Sequence, residues 1–243
     1  MQKNKLTPVV ELIKNSFQIY FKKENLIYLT KIALVYFGIV TLSSIPLFFL
    51  APSSFGFIHG FKLFSQARFD LGFWNLAAVL ISLLAVIIIV LWMAATLIVA
   101  VSLVAMGKII SVRETLARAW SSTKNLFIQG VLGGLVVTLG LVLLIIPGLV
   151  FGVWFTFAGF LVVAGGLGAI ESLKKSKAMV SGIFWAVAGR NAVFIILIGL
   201  IQMGASFIPY AGGLVLILFS PYYVLLPYLL YEDVKRFKAG EEA

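Results

Sequence analysis

Long apolar stretches dominate the chain, and short polar segments separate them. The longest stretch, residues 126–170, runs for 45 residues without a charged side chain. A single helix of that length would extend roughly 67 Å, about twice the ~30 Å hydrocarbon core of a bilayer. Pro147 and Gly148 lie near its centre. Because proline removes a helical hydrogen bond and glycine tolerates positive φ, we predict a tight turn between spans at 126–146 and 149–167.

This arrangement recurs three times along the chain. A charged residue and an asparagine precede an apolar run that ends at a proline, with Asn-to-Pro separations of 21, 22 and 18 residues. A short polar–apolar segment containing a glutamate precedes each asparagine. The residues are Glu11, Asn25 and Pro46, then Glu114, Asn125 and Pro147, then Glu171, Asn191 and Pro209. We predict three weak repeats, at about 8–107, 108–167 and 168–232, each with a cytoplasmic amphipathic helix and two spans.

Local signals predict helices in the polar–apolar segments. Ser111 and Glu114 have the spacing of a capping box, in which two side chains satisfy amides at a helix N-terminus. Apolar residues then recur at helical spacing. These stripes are Val9, Ile13, Phe17 and Tyr20 in the first segment and Val112, Leu116, Trp120 and Phe127 in the second. We expect such helices to lie flat at the interface with basic side chains near the headgroups.

The first repeat departs from the pattern in two places. Residues 51–70 form a long outer loop, and its phenylalanines at 57, 61 and 64 share one helical face, which predicts an interfacial helix. Residues 72–106 contain neither charge nor proline. A helix of that length, ~52 Å, must tilt, bend or extend past the membrane. Gly107 is expected to end it.

The composition places these runs in a membrane. Of the 243 residues, 62% are hydrophobic and 12% are charged, whereas soluble domains average roughly 45–50% apolar and about 25% charged residues. We predict an all-α polytopic membrane protein, in which residues 1–243 form a single integral membrane domain with six transmembrane helices. The N-terminal segment, which carries charges every few residues, lacks the features of a signal peptide.

The net charge of +10 sets the expected orientation. In a soluble protein it would suggest nucleic acid, but here we expect no nucleic-acid partner. If the proline turns face outward, 16 of the 19 Lys and Arg residues are cytoplasmic and only Lys62 and Arg68 lie outside. By the positive-inside rule we predict a multi-pass protein of the cell (inner) membrane with both termini cytoplasmic.

The residue inventory argues against catalysis. With no cysteine and one histidine, thiolate and all-histidine metal sites within one chain are excluded. The sequence contains no P-loop, no H-E-x-x-H and no G-x-S-x-G motif. Adjacent carboxylates occur only at Glu232–Asp233 and Glu241–Glu242. We predict a protein that is not an enzyme, with no catalytic residue, cofactor or metal.

Polar side chains supply the candidate sites. The candidate contacts with lipid headgroups are Lys14, Lys22, Lys23, Arg113, Arg118, Lys124, Lys174, Lys175, Lys177 and Arg190. The candidate polar contacts within the membrane are Lys31, Gln129 and Gln202. For Lys31 we favour snorkelling of its stem to the interface over a role in binding. The two glutamines either hydrogen-bond between helices or line a polar path.

The stretch IIPGLVFGVWFTFAGFLVVAGGLGAIESLKKSKAMVSGIFWAV carries a resemblance. It is similar to the membrane domain attached to some bacterial glycerophosphoryl diester phosphodiesterases, and to the stand-alone, uncharacterised relatives of that domain. The shared pattern is a Pro-Gly turn, an apolar span, a Glu-x-Leu-x-x-Ser helix and a glycine. Here these residues are Pro147, Gly148, Glu171, Leu173, Ser176 and Gly182. Since the catalytic domain of that family is a separate soluble barrel, the resemblance implies a membrane module without phosphodiesterase activity.

Two functional hypotheses remain, with a membrane-embedded enzyme the least favoured third. The first is a non-enzymatic integral membrane protein that engages phospholipid or scaffolds a protein partner at its cytoplasmic face. It is motivated by the repeated basic segments, since each Lys or Arg near an anionic leaflet contributes about 1 kcal/mol. The alternative is a transporter or permease subunit for a lipidic or amphiphilic solute, motivated by the repeats and by Pro221 and Pro227 in the last span. The sequence does not fix the oligomeric state.

Overall fold

A computed structural model describes residues 5–50, 73–208 and 212–241. Within these ranges the chain forms helices and no strands. They are α1 Val9–Phe21, α2 Lys23–Leu50, α3 Phe73–Ala105, α4 Val112–Leu143, α5 Ile145–Trp154, α6 Ala158–Val163, α7 Ala169–Val180, α8 Phe184–Ser206 and α9 Gly212–Glu241. In the described part, α2, α3, α4, α5 together with α6, α8 and α9 give six candidate membrane spans. The predicted all-α polytopic membrane fold with six spans is therefore confirmed.

The three polar–apolar segments are helical, but they connect to their spans differently. The first forms α1, which ends where Lys22 adopts an extended conformation. The third forms α7, which is followed by Gly182 at φ 83°. The second is not a separate helix, because nothing interrupts α4 between Val112 and Leu143. It therefore continues the axis of its span and does not lie flat at the interface. One half of its predicted capping box is present, with the Glu114 amide donating to the Ser111 hydroxyl over 3.2 Å, while the Glu114 carboxylate accepts from Arg118 over 2.7 Å.

The predicted turn at Pro147 and Gly148 lies three residues earlier. The helix breaks at Leu144, which is extended at φ −155° and ψ 124°. Pro147 occupies the first turn of α5, where a missing N–H costs no helical bond. Gly148 is helical, and a Cβ there would lie 2.4 Å from Cγ of Leu141. Gly148 therefore permits the close approach of α4 and α5, and it does not adopt a positive φ.

The other proline positions give different outcomes. Helix α2 continues through Pro46 to Leu50, so the first span does not turn at that proline. Pro209 and the predicted interfacial helix of the 51–70 loop lie outside the described residues.

Gly107 ends α3 as expected, with φ 70° and a bond of 2.8 Å from the Lys108 amide to the Leu103 carbonyl. Between Phe73 and Ala105, α3 is a single unbroken helix.

The span that returns from the Leu144 turn is broken between α5 and α6. Ser176, fully buried on α7, bridges this break. Its hydroxyl donates to the Trp154 carbonyl over 2.6 Å and accepts from the Phe157 amide over 3.2 Å. Because buried backbone groups must find partners, this one side chain makes the break tolerable and attaches α7 to it.

Each polar–apolar segment packs on the returning span of the preceding repeat, and the first packs on the last. In α1, the Ser16 hydroxyl lies 3.1 Å from that of Tyr222 on α9. At the start of α4, the Leu116 carbonyl accepts from the Trp92 indole of α3 over 2.9 Å. The Ser176 contacts complete the set for α7. Each repeat thereby contacts the other two, and these contacts connect the three repeats in a closed ring.

The N-terminal segment connects the first repeat to α8 and α9 of the third repeat. Both the amide and the hydroxyl of Thr7 donate to the Asp233 carboxylate of α9, over 2.9 and 2.5 Å. The Thr7 carbonyl accepts from the Arg190 guanidinium of α8 over 2.9 Å.

Burial, reinforced by Tyr223, raises the pKa of Tyr20 to about 12. Its protonated hydroxyl donates to the Leu218 carbonyl of α9.

The buried faces of the segments coincide only in part with the apolar stripes: Tyr20 is buried, and Val9 and Ile13 pack against the core. Trp120 is 57% exposed and Phe127 is 38% exposed. The buried residues lie one, five and nine positions after each glutamate: Leu12, Ser16 and Tyr20; Thr115, Ala119 and Thr123; Ser172, Ser176 and Val180. Most are small or carry a hydroxyl, which suits close helix packing where lipid already solvates large apolar side chains. The shared register favours the three repeats, whose boundaries stay a prediction.

Substituting Gly148 by alanine should separate α4 from α5. The added methyl group would overlap Leu141, so we expect a loss of about 1–3 kcal/mol and a lower unfolding temperature in detergent. Gly152→Ala is the matched control, because a Cβ one turn further along α5 meets no atom within 4 Å. Equal unfolding temperatures for the two variants would contradict the close approach.

Substituting Ser176 by alanine should leave the Trp154 carbonyl and the Phe157 amide without a partner in the break. We expect a cost of about 1–3 kcal/mol and faster amide exchange at Phe157, measurable by hydrogen exchange. Ser172→Ala is the control, because that fully buried hydroxyl bonds only the Ala169 carbonyl within its own helix. The bridge is refuted if exchange at Phe157 is the same in both variants.

Candidate functional site

The predicted headgroup contacts lie mostly on the surface of the described chain. Nine of the ten are exposed: Lys14, Lys22, Lys23, Arg113, Arg118, Lys124, Lys174, Lys175 and Lys177. Two of these cations already have a carboxylate partner, Lys22 with Glu24 at 3.6 Å and Arg118 with Glu114 at 2.7 Å. The others remain available to an external anion, most densely on α7.

Helix α7 presents its basic side chains in a fixed direction. Ser172 and Ser176 bury one face of the helix, and Lys174 and Lys175 are exposed on its other side. Lys177 lies over the Trp154 ring, with its ammonium 4.4 Å from the ring centroid. This cation–π contact holds the lysine against a tryptophan, a residue type that is enriched at membrane interfaces.

Arg190 differs from the other predicted contacts because it is half-buried. Its two terminal nitrogens donate to the carbonyls of Ala186 and Thr7 over 3.0 and 2.9 Å. Its Nε is buried without a hydrogen-bond partner in the described part of the chain. These contacts tie α8 to the N-terminal segment, and its role as a headgroup contact stays a prediction.

The predicted intramembrane contacts do not converge. Lys31 and Gln202 are exposed on α2 and α8, and Gln129 is half-buried on α4. Gln129 lies beside Gly133, where a Cβ would be 3.4 Å from its amide nitrogen. None of the three lines any of the cavities described below.

A lateral groove lies between α3 and α4, with a volume of about 360 Å³. Leu84, Ile88 and Leu91 form its α3 wall. Its α4 wall is formed by Trp120, Thr123, Lys124 and Phe127. Leu84 and Trp120 are more than half exposed, so the groove opens to the surroundings of the helices. It combines an apolar lining with one cation.

A second cavity of about 430 Å³ lies between the spans of the second and third repeats. Its polar lining residues are Thr156 and Asn191, which hydrogen-bond over 3.1 Å. Pro227 of α9 lines it as well. The asparagine amide is engaged by a protein hydroxyl. The other lining residues of the cavity are apolar, and none of its lining residues is charged.

A third cavity of about 280 Å³ lies where the start of α1 meets the ends of α3 and α9. Thr7, Glu232, Asp233 and Arg236 are among its lining residues. Each Asp233 carboxylate oxygen accepts one hydrogen bond from Thr7, and the Glu232 carboxylate accepts from Tyr228 over 3.3 Å. Across residues 5–50, 73–208 and 212–241, no group of three metal-ligating side chains occurs.

Several of these residues had no distinctive signal in the sequence. Ser176 belongs to the Glu-x-Leu-x-x-Ser pattern, but Ser16 was recognisable only as the equivalent position five residues after a glutamate, which identifies a buried face once the repeat is aligned. The Thr7–Asp233 pair is separated by 226 positions, and only the folded chain brings it together. Trp92, which holds the rim of the lateral groove, lies within an uninterrupted apolar run.

Comparison with known proteins leaves the geometry as the main guide to function. No family model, curated protein or solved structure matches the chain.

Proposed function

We propose that this integral membrane protein is non-enzymatic and engages anionic phospholipid through its basic segments. The observation that carries the proposal is the geometry of α7. Its serine face is fixed in the bundle, so Lys174 and Lys175 are held outward together with Lys177 on Trp154. A positioned cluster of three cations, one of them over the Trp154 ring, suits phosphate groups at a membrane surface.

Three further features support this proposal. The exposed cations of α1 and α4 extend the basic surface beyond α7. The positive-inside rule places such a surface at the cytoplasmic leaflet of a cell membrane, where anionic lipids are concentrated. The resemblance to phosphodiesterase membrane domains favours a module that acts through the membrane and not through chemistry of its own. A protein partner on the same surface is the other reading of the basic segments.

Neutralising α7 should remove the preference for anionic lipid. For the triple variant K174Q/K175Q/K177Q we expect the ratio of bound phosphatidylglycerol to phosphatidylcholine to fall about tenfold or more, since each cation contributes roughly 1 kcal/mol. Native mass spectrometry of protein taken from mixed-lipid nanodiscs measures that ratio.

The charge-preserving variant K174R/K175R/K177R is the matched control and should keep the wild-type ratio. An unchanged ratio in the glutamine variant would overturn the proposal. Recovery of a stoichiometric protein partner in place of lipid from native membranes, lost in the glutamine variant, would assign the basic surface to a scaffold.

The second cavity favours the alternative of a transporter. It lies between two repeats, beside a proline of the last span, as substrate sites of transporters do. The natural chain has no cysteine, so Asn191→Cys gives a unique label in the cavity. A transporter predicts maleimide labelling from both sides of the membrane, whereas labelling from one side only, or none, counts against transport. Ile196→Cys, on the exposed surface of the same helix, is the control for reagent access.

A further inference from the structure

The lateral groove between α3 and α4 has the shape and chemistry of a lipid site. Leu84, Ile88 and Leu91 recur at helical spacing and form one apolar wall. From Leu91 to Leu84 the wall extends about 10 Å along the helix. In a membrane, such an open apolar groove is filled by acyl chain.

One end of the groove carries its only charge. Lys124 is the last charged residue before the uncharged run 125–170, so it marks the boundary between the polar segment and the span of α4. It is exposed and makes no ion pair with any residue that the structure describes. The adjacent Thr123 hydroxyl is engaged by the Ala119 carbonyl over 3.1 Å.

The rim beside this lysine is held rigidly. Trp120 packs edge-to-face on Trp92, with ring centroids 5.4 Å apart. The Trp92 indole donates to the Leu116 carbonyl over 2.9 Å, which fixes the pair against the backbone of α4. Tryptophans of this kind sit at the level of the headgroups. The apolar wall for an acyl chain, the tryptophan pair at the headgroup level and the Lys124 cation therefore follow one another along the groove.

We propose that this groove binds one anionic phospholipid, with an acyl chain along Leu84, Ile88 and Leu91 and the phosphate at Lys124. The inference deepens the proposed function and rests on it, because it gives one lipid a defined site apart from the α7 lysines. Charge complementarity selects an anionic occupant. The nearest carboxylate along α4, Glu114, is paired with Arg118, so it does not compete with a ligand for Lys124.

The test is retention of lipid during gradual delipidation, followed by native mass spectrometry with phosphatidylglycerol and phosphatidylcholine as probes. The wild type should keep one phosphatidylglycerol after other lipids are lost. Ile88→Trp fills the groove and should reduce that bound fraction at least tenfold. Lys124→Gln should reduce it about fivefold, the effect of losing one cation near an anionic lipid.

Matched controls separate the site from general lipid contact. Ile87→Trp adds the same ring at a neighbouring exposed position outside the groove, and Lys124→Arg keeps the charge. Both should retain the lipid. Leu84→Trp is a second groove variant in case Ile88→Trp does not fold, as judged by its unfolding temperature.

Three results would overturn the inference: equal retention in Ile88→Trp and Ile87→Trp, equal retention of both probe lipids by the wild type, or a groove occupied only by detergent. If the α7 glutamine variant loses its anionic preference while the groove variants behave as wild type, the groove assignment fails and the proposed function stands. If the groove variants lose their lipid while the α7 variant is unchanged, the groove stands and the α7 basis of the function fails.

Discussion

The hydroxyl of Ser176 is the contact on which the arrangement of the third repeat depends. A broken helix inside a membrane leaves an amide and a carbonyl that no water can satisfy. Ser176 satisfies both, and it can do so only if α7 lies against the break. That requirement fixes the buried face of α7, and hence the direction in which its lysines project. A backbone constraint in the spans thereby determines where the protein presents its charge.

Packing is distributed unevenly along the helices. In the described part of α3, buried side chains occur only between residues 93 and 104, and in α2 only between residues 25 and 33. Exposed leucine, isoleucine and valine side chains occur among the other described residues of these helices. Lipid solvates such side chains as well as protein does, so hydrophobic burial provides little drive for packing there. The closely packed part coincides with the polar–apolar segments and the returning spans that they contact.

The sequence predicted the number and type of the spans because long uncharged runs have few alternatives in a membrane. It misplaced the turn at Pro147, since a proline is tolerated within the first helical turn and the break could move to Leu144. The apolar stripes of the amphipathic segments are only partly buried, since Trp120 and Phe127 are exposed while Tyr20 is buried. Lipid solvates large apolar side chains, so small and hydroxyl residues supply much of the face that packs on the protein. The Lys124 groove depends on how the consecutive helices α3 and α4 pack against each other, which no local pattern shows.

The closed ring has a consequence for biosynthesis. Helix α1 leaves the ribosome well before α9, yet α9 carries the partners of Ser16 and Tyr20. The two ends of the ring are more than 200 residues apart along the chain. Until α9 has inserted, the Tyr20 hydroxyl lacks the Leu218 carbonyl, and the Ser16 hydroxyl keeps only its bond to the Ile13 carbonyl within α1. The ring therefore closes only after translation of α9, and a chain arrested before α9 leaves α1 undocked.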